Sequence, residues 1–207
     1  MKVVRISAGF FQTNTYIVMD KGLCIIIDPG EEVEKIMQVI RELRCSPNKI
    51  VCTHAHFDHI LGVNPLKRNF DIPFVIHSDD LLILRKQKEF VKSFWGIEID
   101  DIPDSADDFI GEGEEIGGLK VIHTPGHSPG SITLIGKTFA IVGDLIFKES
   151  VGRTDLPGGD EKTLLNSITR VLSLPENIIL CPGHGPETTV GHERKFNPII
   201  QELDHRI

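Results

Sequence analysis

The chain has 207 residues, 40% hydrophobic and 25% charged, which is the composition of a globular protein able to bury a substantial core. Its formal net charge is −8 with no basic block, which argues against a nucleic-acid partner and its Lys/Arg face. No apolar run approaches the ~18 residues of a membrane helix, and residues 1–6 read as a strand, not as a charged leader, so we expect a small-molecule substrate, no membrane partner and a cytoplasmic location.

Taken in order, residues 2–7, 15–19 and 23–27 are rich in β-branched side chains and read as strands, with Asp20-Lys21-Gly22 as a hairpin turn. Asp28-Pro29-Gly30 ends the third. Val33, Ile36, Met37, Ile40 and Leu43 recur at helical spacing among charges, which predicts a helix over 31–44. A strand over 50–53 leads into a histidine-rich segment, a short helix follows over 62–69, and 74–76 is a short buried strand. Residues 79–95 read as a helix capped by Ser78 or Asp79. There Phe90, Phe94 and Trp95 interleave with Arg85, Lys86, Lys88 and Lys92. That pattern suits a solvated basic face, the sharper alternative being a lid for an anionic substrate. The acidic, Gly-rich stretch 100–118 reads as surface loops, and 119–122, 131–135 and 138–142 as strands. A helix over 161–172, a strand over 177–181 and a closing helix over 191–204, interrupted near Pro198, complete the chain.

Strands and helices thus alternate in two broadly similar halves, an α/β pattern expected to form one domain over 1–207. The four cysteines, Cys24, Cys45, Cys52 and Cys181, contain no C-x-x-C pair and read as free thiols. Cys52 and Cys181 end apolar runs, where cysteine acts as a small hydrophobe.

The chemistry concentrates in Thr53-His54-Ala55-His56-Phe57-Asp58-His59, which places four strong metal ligands within six residues. Imidazole nitrogen and carboxylate oxygen suit zinc, iron and manganese. A strand would set His54 and His56 on one side. A helix would not, because positions two apart do not face each other. The turn after them could bring in Asp58 and His59. The plainer readings are a solvated loop or a structural zinc. Further ligand-type residues follow other apolar runs on Gly/Pro-shaped loops: His127, Asp144 and His184. His123, four residues before His127, reads as a partner of the site or a buried structural histidine, and His77 as a surface-turn residue. No role is assigned to His192 or His205. Arg153 and Asp155 could pair to brace their loop, or Arg153 could contact substrate.

This ligand series, His54-x-His56-x-Asp58-His59 followed by His127, Asp144 and His184, resembles that of the metallo-β-lactamase superfamily. Ile146-Phe147, the stretch Val151-Gly152-Arg153-Thr154-Asp155-Leu156-Pro157-Gly158-Gly159-Asp160 and the end Thr189–Pro198 resemble its small glyoxalase II-like hydrolases. The resemblance implies an αββα sandwich, two central mixed β-sheets flanked by helices, which the pattern alone does not separate from other α/β folds. It also implies two divalent metal ions, zinc foremost with iron or manganese as alternatives. One would be held by His54, His56 and His127, the other by Asp58, His59 and His184, with Asp144 bridging. The implied reaction is cleavage of thioesters of the S-lactoylglutathione type by a metal-bridging hydroxide, with Asp58 taking up a proton. Only 23 residues follow His184, so no counterpart is expected for the helical region with which full-length glyoxalase II grips glutathione. The rival readings are a mono-iron persulfide dioxygenase, a lactonase or lactamase, and a non-catalytic metal-binding module.

Overall fold

The computed structural model describes residues 1–204, so His205 lies outside the described residues. In chain order the elements are β1 (Lys2–Ala8), β2 (Thr13–Asp20), β3 (Leu23–Ile27), α1 (Val33–Leu43), β4 (Ser46–Val51), α2 (Phe57–Ile60), α3 (Val63–Phe70), β5 (Phe74–Ile76), α4 (Leu81–Trp95), β6 (Asp108–Phe109) and β7 (Glu115–Ile116). There follow β8 (Leu119–His123), β9 (Ile132–Ile135), β10 (Phe139–Gly143), β11 (Ile146–Phe147), β12 (Ser150–Val151), α5 (Glu161–Leu172), β13 (Ile179–Pro182), β14 (Thr188–Thr189), α6 (Val190–Phe196) and α7 (Pro198–Asp204). Two six-stranded mixed sheets result, in the orders β1-β2-β3-β4-β5-β6 and β14-β13-β10-β9-β8-β7, beside a ribbon of β11 and β12.

Side-chain alternation along the strands builds three apolar layers. In β3, Ile25 and Ile27 face the second sheet, where they meet Val121, Leu134 and Ile141. Cys24 and Ile26 face the other way, onto Ile36 and Ile40 of α1 and Leu66 of α3. The outer side of the second sheet, with Ile122, Val142 and Leu180, is covered by Leu164, Ile168 and Val171 of α5. A strand buried on both faces must be apolar throughout, which is why Leu-Cys-Ile-Ile-Ile carries no polar position. The layering is αββα, as expected.

Most elements fall where the pattern placed them, and the differences are physical. The fourth strand begins at Ser46 and ends at Val51, not at 50–53. Its first half alternates between half-buried and exposed positions and gains its strand character from parallel pairing with β3. His54 and His56 therefore sit in the loop beyond the strand, and Asp58 and His59 lie on the helical turn α2. The second strand begins at Thr13, because Thr13 and Asn14 pair with the end of β1. Asn14 also reaches the second sheet, its backbone N–H donating to the Gly183 carbonyl at 2.7 Å and its side chain to the Pro182 carbonyl at 2.9 Å. Tyr16 donates to the same Pro182 oxygen at 2.7 Å, so the two sheets are tied together at the end where the ligand loops emerge. Cys52 and Cys181 are buried in apolar layers. Cys24 and Cys45, 21 residues apart, bring their sulfurs to 2.7 Å, a contact with no counterpart in the cysteine spacing. Among the described residues no helix is long and apolar enough to cross a membrane.

Candidate metal centre

Five histidines and two aspartates converge at the ends of β4, β10 and β13 and in the loop after β8. The ring centroids of His54, His56 and His127 lie 4.5–4.8 Å apart, and those of His59 and His184 are 5.3 Å apart. His54, His56 and His127 form one group whose donor atoms lie within 4.8 Å of one another, and Asp58, His59 and His184 form a second. Asp144 stands between them. Its Oδ1 is 3.5 Å from His59 Nε2, and its Oδ2 is 3.7 Å from His127 Nε2 and 3.6 Å from His184 Nε2. All seven expected ligands are thus brought together, although the sequence separates them by up to 130 positions.

The hydrogen bonds behind the rings set their tautomers. His127 Nδ1 faces the Arg153 carbonyl at 2.8 Å and His184 Nδ1 faces the Phe11 carbonyl at 3.0 Å. A carbonyl only accepts, so each Nδ1 carries a hydrogen, and in the neutral ring the lone pair is left on Nε2. Thr53 Oγ1 donates to Asp28 Oδ2 at 2.7 Å. It therefore accepts from His54 Nδ1, 3.0 Å away. His59 Nδ1 lies 3.2 Å from the same carboxylate oxygen of Asp28. In these four rings Nδ1 faces an outer oxygen and Nε2 faces inward, the arrangement in which metal-binding imidazoles donate their other N–H outward. His56 differs: its Nδ1 faces His127 Nε2 at 2.8 Å.

The buried donor atoms fit cations. His54 Nε2, His59 Nε2 and Asp144 Oδ1 are buried without a hydrogen-bond partner among the described residues, a costly state unless something else satisfies them. Burial, with the neighbouring imidazoles, pushes His54 and His56 well below their ordinary values and keeps them neutral. Burial also opposes a charge on His59, but Asp58, Asp144 and Asp28 outweigh it and raise the imidazole to about 10. Burial alone would raise Asp58, yet His59 and His184 hold its carboxyl well below the usual range. Several carboxylates at one buried point call for positive charge, and either group of donors has the chemistry to hold a zinc, iron or manganese ion.

Two buried carboxylates outside the expected set hold the ligand loops. Asp28 accepts from Thr53 N at 2.7 Å as well as from its hydroxyl. Asp80 accepts from Ala55 N at 2.7 Å, Ser128 Oγ at 2.8 Å and Gly130 N at 2.6 Å, which joins the loop of His54 and His56 to that of His127. Burial raises the Asp80 carboxyl against the pull of these donors. Asp28 had a readable signal, an acid directly after an apolar run, as at Asp144. Asp80 had none, since nothing in Ser78-Asp79-Asp80 separates it from its neighbour.

A cavity of about 410 Å³ opens over the ligands, walled by Phe11, Phe57, Phe90, Trp95 and Phe147 and touched by Arg153. The Arg153 guanidinium is paired with Asp155 through two 2.6 Å bonds, which hold that carboxyl at about 2. Loop bracing therefore occupies this arginine in the structure. His77 is not a free surface residue as expected. It is half-buried, and its ring stacks on His123 at 4.1 Å and 11°. His123 faces the Pro129 carbonyl at 2.8 Å, so it stands behind the His127 loop and away from the ligand atoms.

A model of the Metallo-beta-lactamase superfamily matches residues 8–184. The chain is 41% identical to YqgX, a probable metallo-hydrolase of Bacillus subtilis, over 97% of this chain and 98% of that one. It is 35% identical to the hydroxyacylglutathione hydrolase GloC of Haemophilus influenzae, again over 97% and 98%. Among solved structures, TTHA1623 in a di-iron-bound form superimposes with a TM-score of 0.89 at 38% identity, covering 95% of this chain and 99% of that one.

Proposed function

We propose a substrate and a metal arrangement for this chain, which belongs to the metallo-β-lactamase superfamily and is, like its relatives, a metal-dependent hydrolase. The reaction is cleavage of thioesters of the S-lactoylglutathione type. Two divalent ions, zinc foremost, would be held by His54, His56 and His127 and by Asp58, His59 and His184, with Asp144 available to both. The observation that carries this reading is the pair of donor groups meeting at Asp144, within which His54 Nε2, His59 Nε2 and Asp144 Oδ1 are buried with no hydrogen-bond partner among the described residues. When bound, such ions make water nucleophilic near neutral pH and polarise a carbonyl.

The protein's own groups supply the rest. Phe11, Phe57 and Phe147 wall the cavity and limit water around the reacting carbonyl. Asp58 lines it too, with Oδ2 accepting from Thr13 Oγ1 at 3.2 Å. It is the carboxylate that would take up a proton as the tetrahedral intermediate collapses. Its depressed pKa makes it a weak base, but a thiol of pKa ~8.5 leaves as the thiolate with little help. A glutathione carrier is compatible with the short chain, because the relative described as a hydroxyacylglutathione hydrolase is matched over 98% of its length. A mono-iron reading leaves Asp58, His59 and His184 without a role.

The test is turnover of S-lactoylglutathione, other thioesters, a lactone and a β-lactam by protein of measured metal content. We expect two ions per chain, thioester turnover lost on chelation and restored by zinc, iron or manganese, and no turnover in His54→Ala, His56→Ala or Asp144→Ala. Full thioesterase activity in a metal-free preparation, or a single iron with oxygen uptake, overturns the reading.

A further inference from the structure

A second cleft, of about 440 Å³, continues from the metal cavity along α4, and the two share His56, Gln87 and Phe90. On α4 its lining falls at Leu82, Ile83, Lys86, Gln87, Glu89, Phe90 and Ser93. That three- and four-residue spacing marks one face of a helix. The core-facing side chains Leu84 and Val91 lie off this face, and Arg85, Lys88 and Lys92 point to solvent. Pro129 and Pro157-Gly158 form the opposite wall. Leu82, Ile83, Phe90, Pro129 and Pro157 give the cleft its apolar surface, Asp79, Lys86 and Glu89 put charges among them, and Leu82 remains 63% exposed. Large apolar side chains left open beside a reactive site mark a place where apolar ligand surface is covered.

We propose that this cleft takes the acyl side of the thioester and extends beyond the room a lactoyl group needs, so that turnover rises as an unbranched acyl chain is lengthened. The inference rests on the thioesterase reading above. Its occupant follows from continuity and chemistry. The cleft opens on His56, beside the point where the carbonyl must sit. Carrier thiols are polar and soluble, so the apolar arm of such a substrate is the acyl chain. Hydrolysis adds water across the C–S bond and leaves a carboxylic acid in the cleft and a thiol in the metal cavity.

The experiment measures kcat/KM for acetyl, butanoyl, hexanoyl and octanoyl thioesters of one small thiol, using the metal-loaded full chain. Burial of each methylene is expected to raise kcat/KM roughly twofold to fourfold. Leu82→Lys, which puts a charge on the apolar rim, and Ser93→Trp, which fills the cleft, each drive the octanoyl-to-acetyl ratio toward one. Arg85→Ala, on the far side of α4, keeps the wild-type ratio. Octanoate inhibits more strongly than acetate, a binding readout that does not depend on turnover of a long substrate. A flat series with good acetyl turnover overturns the acyl cleft alone, and so does a chain-length gain found only on the thiol side. Absence of turnover with every thioester overturns the parent reading, and this inference with it.

Discussion

Replacing Asp28 by Asn tests whether an unligated carboxylate controls the metal site through ring tautomers. The backbone gives no reason for failure: Asp28 has φ +49°, and asparagine tolerates that left-handed region as well as aspartate. The side chain is fully buried, and every polar atom facing it is a donor: Thr53 N, Thr53 Oγ1 and His59 Nδ1. If the new amide nitrogen takes the Oδ2 position, it opposes the His59 N–H. That imidazole then keeps its hydrogen on Nε2 and not on Nδ1, so no lone pair is aimed at the metal. If the amide flips, its nitrogen opposes Thr53 N at a site built for 2.7 Å. The first orientation costs the lone pair aimed at the metal, and the second leaves one buried donor unpaired, at about 1–3 kcal/mol. For a chain of this size that lowers Tm by roughly 3–10 °C. Loss of the outer partner of a metal-binding histidine lowers affinity roughly 10- to 100-fold. The loss falls on the ion held by Asp58, His59 and His184, and chelator competition reads it. Nitrogen-15 chemical shifts of the His59 ring report the tautomer directly. A variant that binds both ions as tightly as wild type, with His59 still protonated at Nδ1, refutes the reasoning.

Gly183 sits where an added Cβ would run into Asp144 Oδ1 and lie 2.7 Å from His59 Cε1. Gly183→Ala should therefore displace the shared carboxylate, with loss of turnover and of bound metal but near-native circular dichroism. Asp80→Asn sets an amide N–H against one of three donors. Because an amide has no buried charge to desolvate, the net cost is about 1–2 kcal/mol, read as a lower Tm together with weaker binding at the His127 ion. His77 is held below its ordinary pKa by burial and by His123 stacked against it, with Asp79 and Asp80 pulling the other way. The folded state thus favours its neutral form, and that contribution is complete above an unfolded value of ~6.5 and is lost as pH falls below it. His77→Asn keeps an acceptor for Asp79 N, so its Tm should fall less than that of wild type between about pH 7.5 and about pH 5.5. An identical fall in both proteins would remove His77 from the acid sensitivity.

How far sequence reaches in this chain depends on which atom does the work. The strands at 23–27 and 74–76 and the helix over 161–172 have the bounds that their apolar runs predict, and Asp160 caps that helix by accepting from Thr163 N. There the information lies in the side chains of the segment itself. The first half of β4, Ser46 to Lys49, has no apolar signature, and its strand conformation comes from β3 beside it. The seven candidate donors were legible as side chains because histidine and aspartate after an apolar run are uncommon and each needs a reason. What makes those donors usable was not legible. His184 presents Nε2 because the carbonyl of Phe11, 173 positions away, claims its Nδ1, and His127 does so because of the carbonyl of Arg153. Every residue has a carbonyl, so no residue type marks the one that will orient a ring. Ligand identity is thus written locally, whereas tautomer and aim come from the fold, and the substitutions that separate the two act on the outer partners, Asp28 foremost, not on the ligands themselves.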